Sequence, residues 1–495
     1  MSGCATLGNV TDALAPRQEG DAARPFSGRE VALLTGGRLL TDGPGPIMGA
    51  AVDSRQVVPG NLFVALPGER SDGHRHLSAA ARAGATALLV RELLADQVLP
   101  DDVAVIAVDD TLGALQALAE EWRSRFNPLV VGVTGSIAKT STKDAVAAVL
   151  GSRWNTLKSE GNQNNEIGLP LTLLRLGPEH GAVVLEMGMY VEGEIAFLAQ
   201  ISRPRIGVVT AVHPVHLARI GTLDAIERAK GELVQALPPD GTAVLNADDE
   251  RVRRMAARTA ARTLTYGFDR AAQVRAADVR SAGARGMEFE LFSPGFRAHA
   301  TIPTLGRHAV HNALAAAAVG IAAGLSPEEI AAGLRRIPAS PHRGELIAAG
   351  PVTLLDDSYN AAPRSVKAAL DLLVSLPGRS VAVLGEMMEL GEATDAANRE
   401  VGEAAAQSVD LLLVVGAGAA PIADAAGAAG LPADRIVRVP DQASAARELR
   451  DRLRPGDVVL VKASHSVGLD LLVDRLRVDL ADPGIAAGGA PADRP

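Results

Sequence analysis

The chain of 495 residues predicts an α/β protein of three domains. Three observations predict it. At ~150 residues per domain, the length gives three units. Short apolar runs alternate with helical patterns from about residue 129 to 461. A glycine turn sits between such a run and a helical stretch in V-V-G-V-T-G-S-I-A-K-T-S-T-K-D, residues 130–144.

Composition narrows the classes. A hydrophobic content of 47% is ample for buried cores. The net charge of −9, with no dense Lys/Arg block, argues against nucleic acid as a partner. The single cysteine, Cys4, excludes an intrachain disulfide framework and a Cys-based zinc site. Residues 1–25 lack an apolar signal core, and the longest apolar stretch, near 313–325, is Ala-rich and too short to span a bilayer. A cytoplasmic enzyme with no membrane span is the expectation.

In chain order, residues 1–26 are polar with Pro and Gly, and read as a disordered tail. Residues 27–126 mix short strands and helices, the first domain. Asn127-Pro128 breaks the chain before the strand at 129–131. A helix-like stretch at 145–150 stops at Gly151. Runs at 182–185, 206–210 and 243–245 read as buried parallel strands of a central domain, 127–337. The prolines at 338–341 mark the next boundary. Beyond it, strands at 352–355, 381–384, 411–415 and 458–461 alternate with helical segments, a second, Rossmann-like α/β sheet over 338–480. Residues 481–495 are Gly/Ala/Pro-rich and read as a second disordered tail. No tandem repeat is present.

Strand, glycine turn, Lys-Thr, helix is the order that cradles a nucleotide triphosphate. Backbone N–H groups of Gly135, Ser136, Ile137 and Ala138 and of the helix N-terminus face phosphates, Lys139 reaches the outer ones, and the Thr140 hydroxyl, followed by Ser141, can ligate Mg2+. ATP is the expected nucleotide. The loop is irregular, because G-x-x-x-x-G-K-[ST] would place glycines at Val133 and Ala138.

Ligands of open α/β sheets bind at the C-terminal ends of strands, and three polar groups are read there. Glu186 follows 183–185, where a carboxylate can hold Mg2+, although an ordinary loop carboxylate fits as well. His216, in H-P-V-H-L after 206–210, is a second candidate; a lone loop histidine is more often satisfied locally. Lys230 is a third. It shares one helix face with Ile226, Leu233 and Leu237. Burial would lower its pKa, and the neutral amine could take up CO2 to give a carbamate, an anionic metal ligand. The ordinary alternative is a lysine whose stem lies on the core while its ammonium reaches water.

From about residue 27 to 480 the chain resembles the Mur ligases, ATP-dependent amide-forming enzymes of peptidoglycan synthesis. D-S-R-Q-V-V-P-G-N-L-F-V-A-L-P-G-E-R-S-D-G-H (53–74) is similar to their uridine-nucleotide segment. G-N-Q-N-N-E-I-G-L-P-L-T-L-L (161–174), D-D-S-Y-N-A-A-P (356–363) and V-L-G-E-M-M-E-L-G-E (383–392) point to the dipeptide-adding branch. G-R-H-A-V-H-N-A (306–313) and P-H-R-G-E (341–345) are similar to nucleotide-contacting segments.

The resemblance implies roles. Lys139 would contact the β- and γ-phosphates, and Thr140 and Glu186 would ligate the Mg2+ that carries ATP. His216 and carbamylated Lys230 would hold a second Mg2+. Asn312 would contact adenine, and Arg343 and Asp357 the ribose or phosphates. Ser54, Arg55, Asp72, Gly73 and His74 would line the uridine-nucleotide site, and Asn162, Asn165, Tyr359, Asn360 and Lys462 would bind substrate. The substrates implied are UDP-N-acetylmuramoyl-tripeptide and D-alanyl-D-alanine, on a monomer. The chain departs from the family pattern at Ala138 (Gly), Ala362 (Asn), Ala463 (Gly), His465 (Arg) and Asn398 (His). These changes leave the ATP and metal residues intact and bear on the incoming amine. A ligase for another amine is therefore an alternative. So is a non-catalytic nucleotide-binding paralogue, which would not need Lys139, Thr140, Glu186, His216 and Lys230 together.

Overall fold

A computed structural model describes residues 24–43, 45–68, 71–93, 98–214, 220–339, 342–388 and 390–481. Both expected tails fall almost wholly outside these residues, and so do His216 and Pro341.

Three sheets follow one another along the chain. The first has β1 (Arg38–Thr41), β2 (Ala50–Ala51), β3 (Leu62–Val64), β4 (Ala87–Val90) and β5 (Ala104–Ala107) in the order β1-β5-β4-β3-β2. Only β1 runs antiparallel. Phe26 corrects the expected tail, which extended to residue 26. It bridges Ile47, is 4% exposed, and packs 5.1 Å from the Trp122 ring. An aromatic of that size is ordered wherever it finds a core to bury in.

The central sheet has nine strands: β6 (Leu129–Thr134), β7 (Thr156–Lys158), β8 (Ala182–Glu186), β9 (Ile206–Val209), β10 (Thr242–Asn246), β11 (Arg262–Gly267), β12 (Val274–Ser281), β13 (Met287–Ser293) and β14 (Phe296–Ile302). Their order is β14-β13-β12-β11-β10-β9-β6-β8-β7. Strands β6 to β12 are parallel, and β12 to β14 form an antiparallel meander. The three expected runs are buried parallel strands. From β6 the chain builds first toward β7 and β8, then toward β9 and β10. The strand order therefore reverses beside β6, and the crevice at its C-terminal end is where such sheets bind ligands.

Small residues bring the helices close. A Cβ on Gly132 would stand 2.9 Å from Leu233 Cδ1, so glycine in β6 lets the helix Leu223–Gln235 press onto the sheet. Leu237, the last expected member of that helix face, lies just past its end. The Ala-rich helix Arg307–Ala322 packs on the helix Lys139–Leu150, with Ala313 to Ala318 fully buried. Among the described residues no helix is long and apolar enough to cross a membrane.

The third sheet comprises β15 (Glu345–Ala349), β16 (Val352–Asp356), β17 (Ser380–Leu384), β18 (Leu411–Val415), β19 (Ile436–Val439) and β20 (Val458–Lys462). Its order is β15-β16-β20-β17-β18-β19, parallel except for β15. Asp356 and Lys462 end adjacent parallel strands, so both point their loops at the same edge.

Candidate active site

The turn after β6 is built for close approach. A Cβ on Gly135 would stand 1.8 Å from Thr210 Oγ1 at the end of β9, and its φ of 151° suits glycine. The helix begins at Lys139, six residues before the stretch expected from its apolar positions. Its N-cap is Ala138, at φ 63° and ψ 7°, with no side-chain cap. The loop does not shift to spare the alanine; the alanine takes the left-handed conformation. Forcing a Cβ there costs about 1–2 kcal/mol, against about 0.4–1 kcal/mol saved by restricting the unfolded chain. Ala138→Gly is therefore expected to stabilise the protein by about 0.5–1 kcal/mol in denaturant unfolding. ATP affinity should stay within about twofold, because the backbone already has the form glycine would take. A sharp gain in ATP affinity would show that the native loop is impaired.

Lys139 Nζ donates to the Gly135 carbonyl at 2.8 Å. Burial holds its pKa below the usual lysine value, Glu186 opposes this, and nearby Arg343 adds to it. Glu186 ends β8, in register with Val133 of β6, and is 2% exposed. Its Oε1 accepts from Asn164 Nδ2 at 2.9 Å, and its backbone N–H donates to Ser159 Oγ at 3.1 Å. Its Oε2 is buried with no hydrogen-bond partner. A buried carboxylate oxygen left unpaired is costly, and a bound cation would satisfy it. One carboxylate oxygen, the Thr140 hydroxyl and the phosphates of a nucleotide make a hard oxygen set that suits Mg2+. Among the described residues no cluster of three His, Cys, Asp or Glu could hold a metal by itself.

Lys230 is 2% exposed and lines the same cavity, so its ammonium does not run out to bulk water. The ordinary surface-lysine alternative is thereby corrected. Burial, reinforced by the charge of Lys139, pushes its pKa well below the usual lysine value. Asn312 is nearly buried and accepts from the Thr142 hydroxyl at 3.3 Å.

The C-terminal sheet closes the cavity from the other side. Lys462 is 2% exposed, 2.6 Å from the Asp357 carboxylate, and donates to the Asn360 carbonyl at 2.7 Å. It is a strut beneath the 356–360 loop more than a free binding group. Asp356, fully buried, accepts from Ser358 Oγ at 2.6 Å and pairs with His342 Nδ1 at 2.7 Å. Asp356→Ala would strand both partners, and is expected to cost about 2–3 kcal/mol and to loosen amide protection across 356–360 in hydrogen exchange. Tyr359 stacks with His465 at 5.2 Å and 24°, and the Arg343 guanidinium lies 4.0 Å from the Tyr359 ring centroid. The histidine that replaces the expected arginine is thus committed to a ring stack.

Together these groups line one cavity of about 860 Å³. It gathers Ser136 to Ser141, Asn162, Asn165, Glu186, Lys230, Asn312, Arg343, Asp357, Tyr359, Asn360 and Lys462 from the expected set. Gly135 is not among the lining residues, and His216 is outside the described residues. The expected uridine-nucleotide residues lie apart, on the first sheet. Asp72 Oδ1 accepts from the His74 N–H at 2.9 Å, and His74 Nε2 accepts from the Arg91 N–H at 2.9 Å, just past the ends of β3 and β4. Arg55 pairs with Asp53 at 2.6 Å, and Ser54 sits between them in the chain. Gly73 packs so closely that a Cβ would stand 2.8 Å from Leu66 N. Sequence reasoning missed Asn164, Arg364 and His213. Asn164 lay inside a motif already singled out, but three asparagines in one loop cannot be ranked without the fold.

A phosphate loop, a buried carboxylate and a buried amine, roofed by a second α/β sheet, define a nucleotide-dependent enzyme of the phosphoryl-transfer class. Residues 133–320 match the Mur ligase middle domain, residues 342–465 the Mur ligase glutamate ligase domain, and residues 46–123 the Mur ligase family catalytic domain. The chain belongs to the Mur ligase family. It is 39% identical over 466 residues to a UDP-N-acetylmuramoyl-tripeptide–D-alanyl-D-alanine ligase of Mycobacterium tuberculosis, covering 86% of this chain and 91% of that one. With the Escherichia coli ligase of the same name it shares 37% over 431 residues, covering 86% and 92%. A crystal structure of MurF from Acinetobacter baumannii superposes with a TM-score of 0.82 at 28% identity, covering 92% of this chain and 99% of that one. The MurF ligase of Thermotoga maritima in complex with ADP gives 0.76 at 28%, covering 88% and 98%.

Proposed function

We propose that the chain joins D-alanyl-D-alanine to the peptide carboxylate of UDP-N-acetylmuramoyl-tripeptide, using ATP. The observation that carries the reading is the convergence of Lys139, Glu186 and Lys230 on one cavity, in a chain close to ligases of that name. A carboxylate is a poor electrophile. Transfer of the γ-phosphoryl group of ATP to a carboxylate oxygen gives an acyl phosphate and ADP. The dipeptide amine then attacks the acyl carbon, phosphate leaves with its electron pair, and the nitrogen gives up a proton.

In this reading Lys139 neutralises charge on the β- and γ-phosphates, and the turn amides orient them. Thr140 and Glu186 would hold a Mg2+, and carbamylated Lys230 with His216 would hold a second. Such ions supply charge neutralisation between two anions. Asn312 contacts adenine, and Arg343 and Asp357 reach ribose or phosphate from the roof. Ser54, Arg55, Asp72, Gly73 and His74 hold the uridine nucleotide, while Asn162, Asn165, Tyr359 and Asn360 line the peptide side, with Lys462 holding their loop. Domains spanning 27–126, 127–337 and 338–480, a monomeric state and a cytoplasmic location belong to the same proposal. Enclosure between two sheets keeps water from the acyl phosphate.

A second reading, ligation of a different amine, is favoured by Ala362, Ala463 and His465. Phosphate release from ATP and Mg2+, with each substrate singly and both together, tests the choice. Release only with both, and a pentapeptide product by mass, is expected. Release only with another amine would move the protein to the second reading.

A further inference from the structure

We propose that Arg364 binds the carboxylate of the incoming amine substrate and so makes a free acid on that substrate a requirement. This rests on the ligase reading above and assigns a substrate group to a residue not yet given one. Five cations line the cavity: Lys139, Lys230, Arg343, Arg364 and Lys462. Four are committed. Lys139 donates to the Gly135 carbonyl in the phosphate loop, and the Arg343 guanidinium lies over the Tyr359 ring. Lys462 is buried against Asp357, and Lys230 is itself buried in the cavity wall.

Arg364 differs in every respect. It is exposed to the cavity, and among the described residues it meets no carboxylate. Among the described residues its one side-chain partner is His213 Nε2, 2.9 Å from Nη1, across from the C-terminal to the central domain. A guanidinium only donates, so this ring nitrogen accepts and the imidazole is neutral. Burial and the adjacent guanidinium hold His213 below the usual imidazole range, in agreement. His213 therefore orients Arg364 without cancelling its charge.

The setting matches a small amino acid. Ala361, Ala362, Ala368 and Leu390 line the same cavity as Arg364 and give it small apolar side chains. Ala362 is the N-cap of the helix Pro363–Ser375 and has no side-chain acceptor to compete for the guanidinium. His465, where the family pattern has arginine, is stacked on Tyr359. Arg364 supplies a fork of N–H donors that a carboxylate fits bidentately.

The test compares D-alanyl-D-alanine with its C-terminal amide in wild-type protein, Arg364→Ala and Arg364→Lys. Wild type should prefer the free acid by roughly ten- to a hundredfold in kcat/KM. Arg364→Ala should lose that preference by a rise in KM for the acid alone, with KM for ATP unchanged. Arg364→Lys should recover part of it. Equal losses with acid and amide would assign Arg364 a structural role and overturn the proposal, as would an unchanged preference. An acceptor nucleotide whose third residue carries a free side-chain carboxylate should behave like one with lysine there; a loss confined to the former would place the contact on the acceptor and also overturn it. If wild type ligates only another amino acid, the choice of amine in the ligase reading fails, and the same acid-against-amide comparison still decides Arg364.

Discussion

Lys230→Ala is expected to abolish ligation, lowering kcat by about a thousandfold or more, and millimolar acetate is expected to restore part of it. The expectation comes from burial. Burial, and then the charge of Lys139, disfavour an ammonium in this cavity, so the amine's pKa lies well below the usual lysine value. A neutral amine adds CO2 to form a carbamate and releases a proton, turning a buried amine into a carboxylate-like anion. Acetate would stand in for that carboxylate in the space the truncated side chain leaves. The sign of the pH effect follows: acidification protonates the amine and disfavours the carbamate, so activity should fall as pH drops, and added bicarbonate should offset the fall. Isotopically labelled bicarbonate should give a carbamate signal in wild type and none in the variant. An alanine variant with wild-type turnover would refute the role.

The second large effect is at Lys139. Lys139→Ala should lower kcat by about a hundred- to a thousandfold while leaving thermal stability nearly unchanged, since among the described residues its ammonium hydrogen-bonds only to the Gly135 carbonyl. A second readout separates this residue from a mere phosphate anchor. Its charge contributes, after burial, to the depressed pKa of Lys230. Removing it should raise the Lys230 pKa and reduce the labelled carbamate at a given pH and CO2 level. Full carbamate with no turnover would mean the two lysines act independently.

The parts of the fold that were legible in sequence are those whose burial is two-sided. The runs that became β8, β9, β10, β17, β18 and β20 are continuous apolar segments because helices cover both faces of a parallel sheet. The first turns of the phosphate-loop helix escaped the same reasoning. Thr142, Lys143 and Asp144 are buried there, but they are polar. Lys143 donates to the Ser159 carbonyl at 2.8 Å, and Asp144 pairs with Lys158 at 2.6 Å. Hydrophobic periodicity cannot register a helix whose buried groups are charged and paired.

The site divides in the same way. Lys139 and Glu186 sit at fixed places relative to strands, so their spacing announces them. Lys230 was visible as a lysine in register with an apolar face, but its exposure was not, because that depends on how closely glycine lets its helix approach β6. The pairing of Arg364 with His213 spans 151 residues and joins two domains, and no local pattern encodes it.

The claim that ties these observations together is an acyl phosphate formed in this cavity. Tripeptide nucleotide bearing isotopically labelled oxygen in its terminal carboxylate tests it most directly. Ligation through an acyl phosphate must leave a labelled oxygen in the released inorganic phosphate. Pentapeptide product accompanied by wholly unlabelled phosphate would contradict the account.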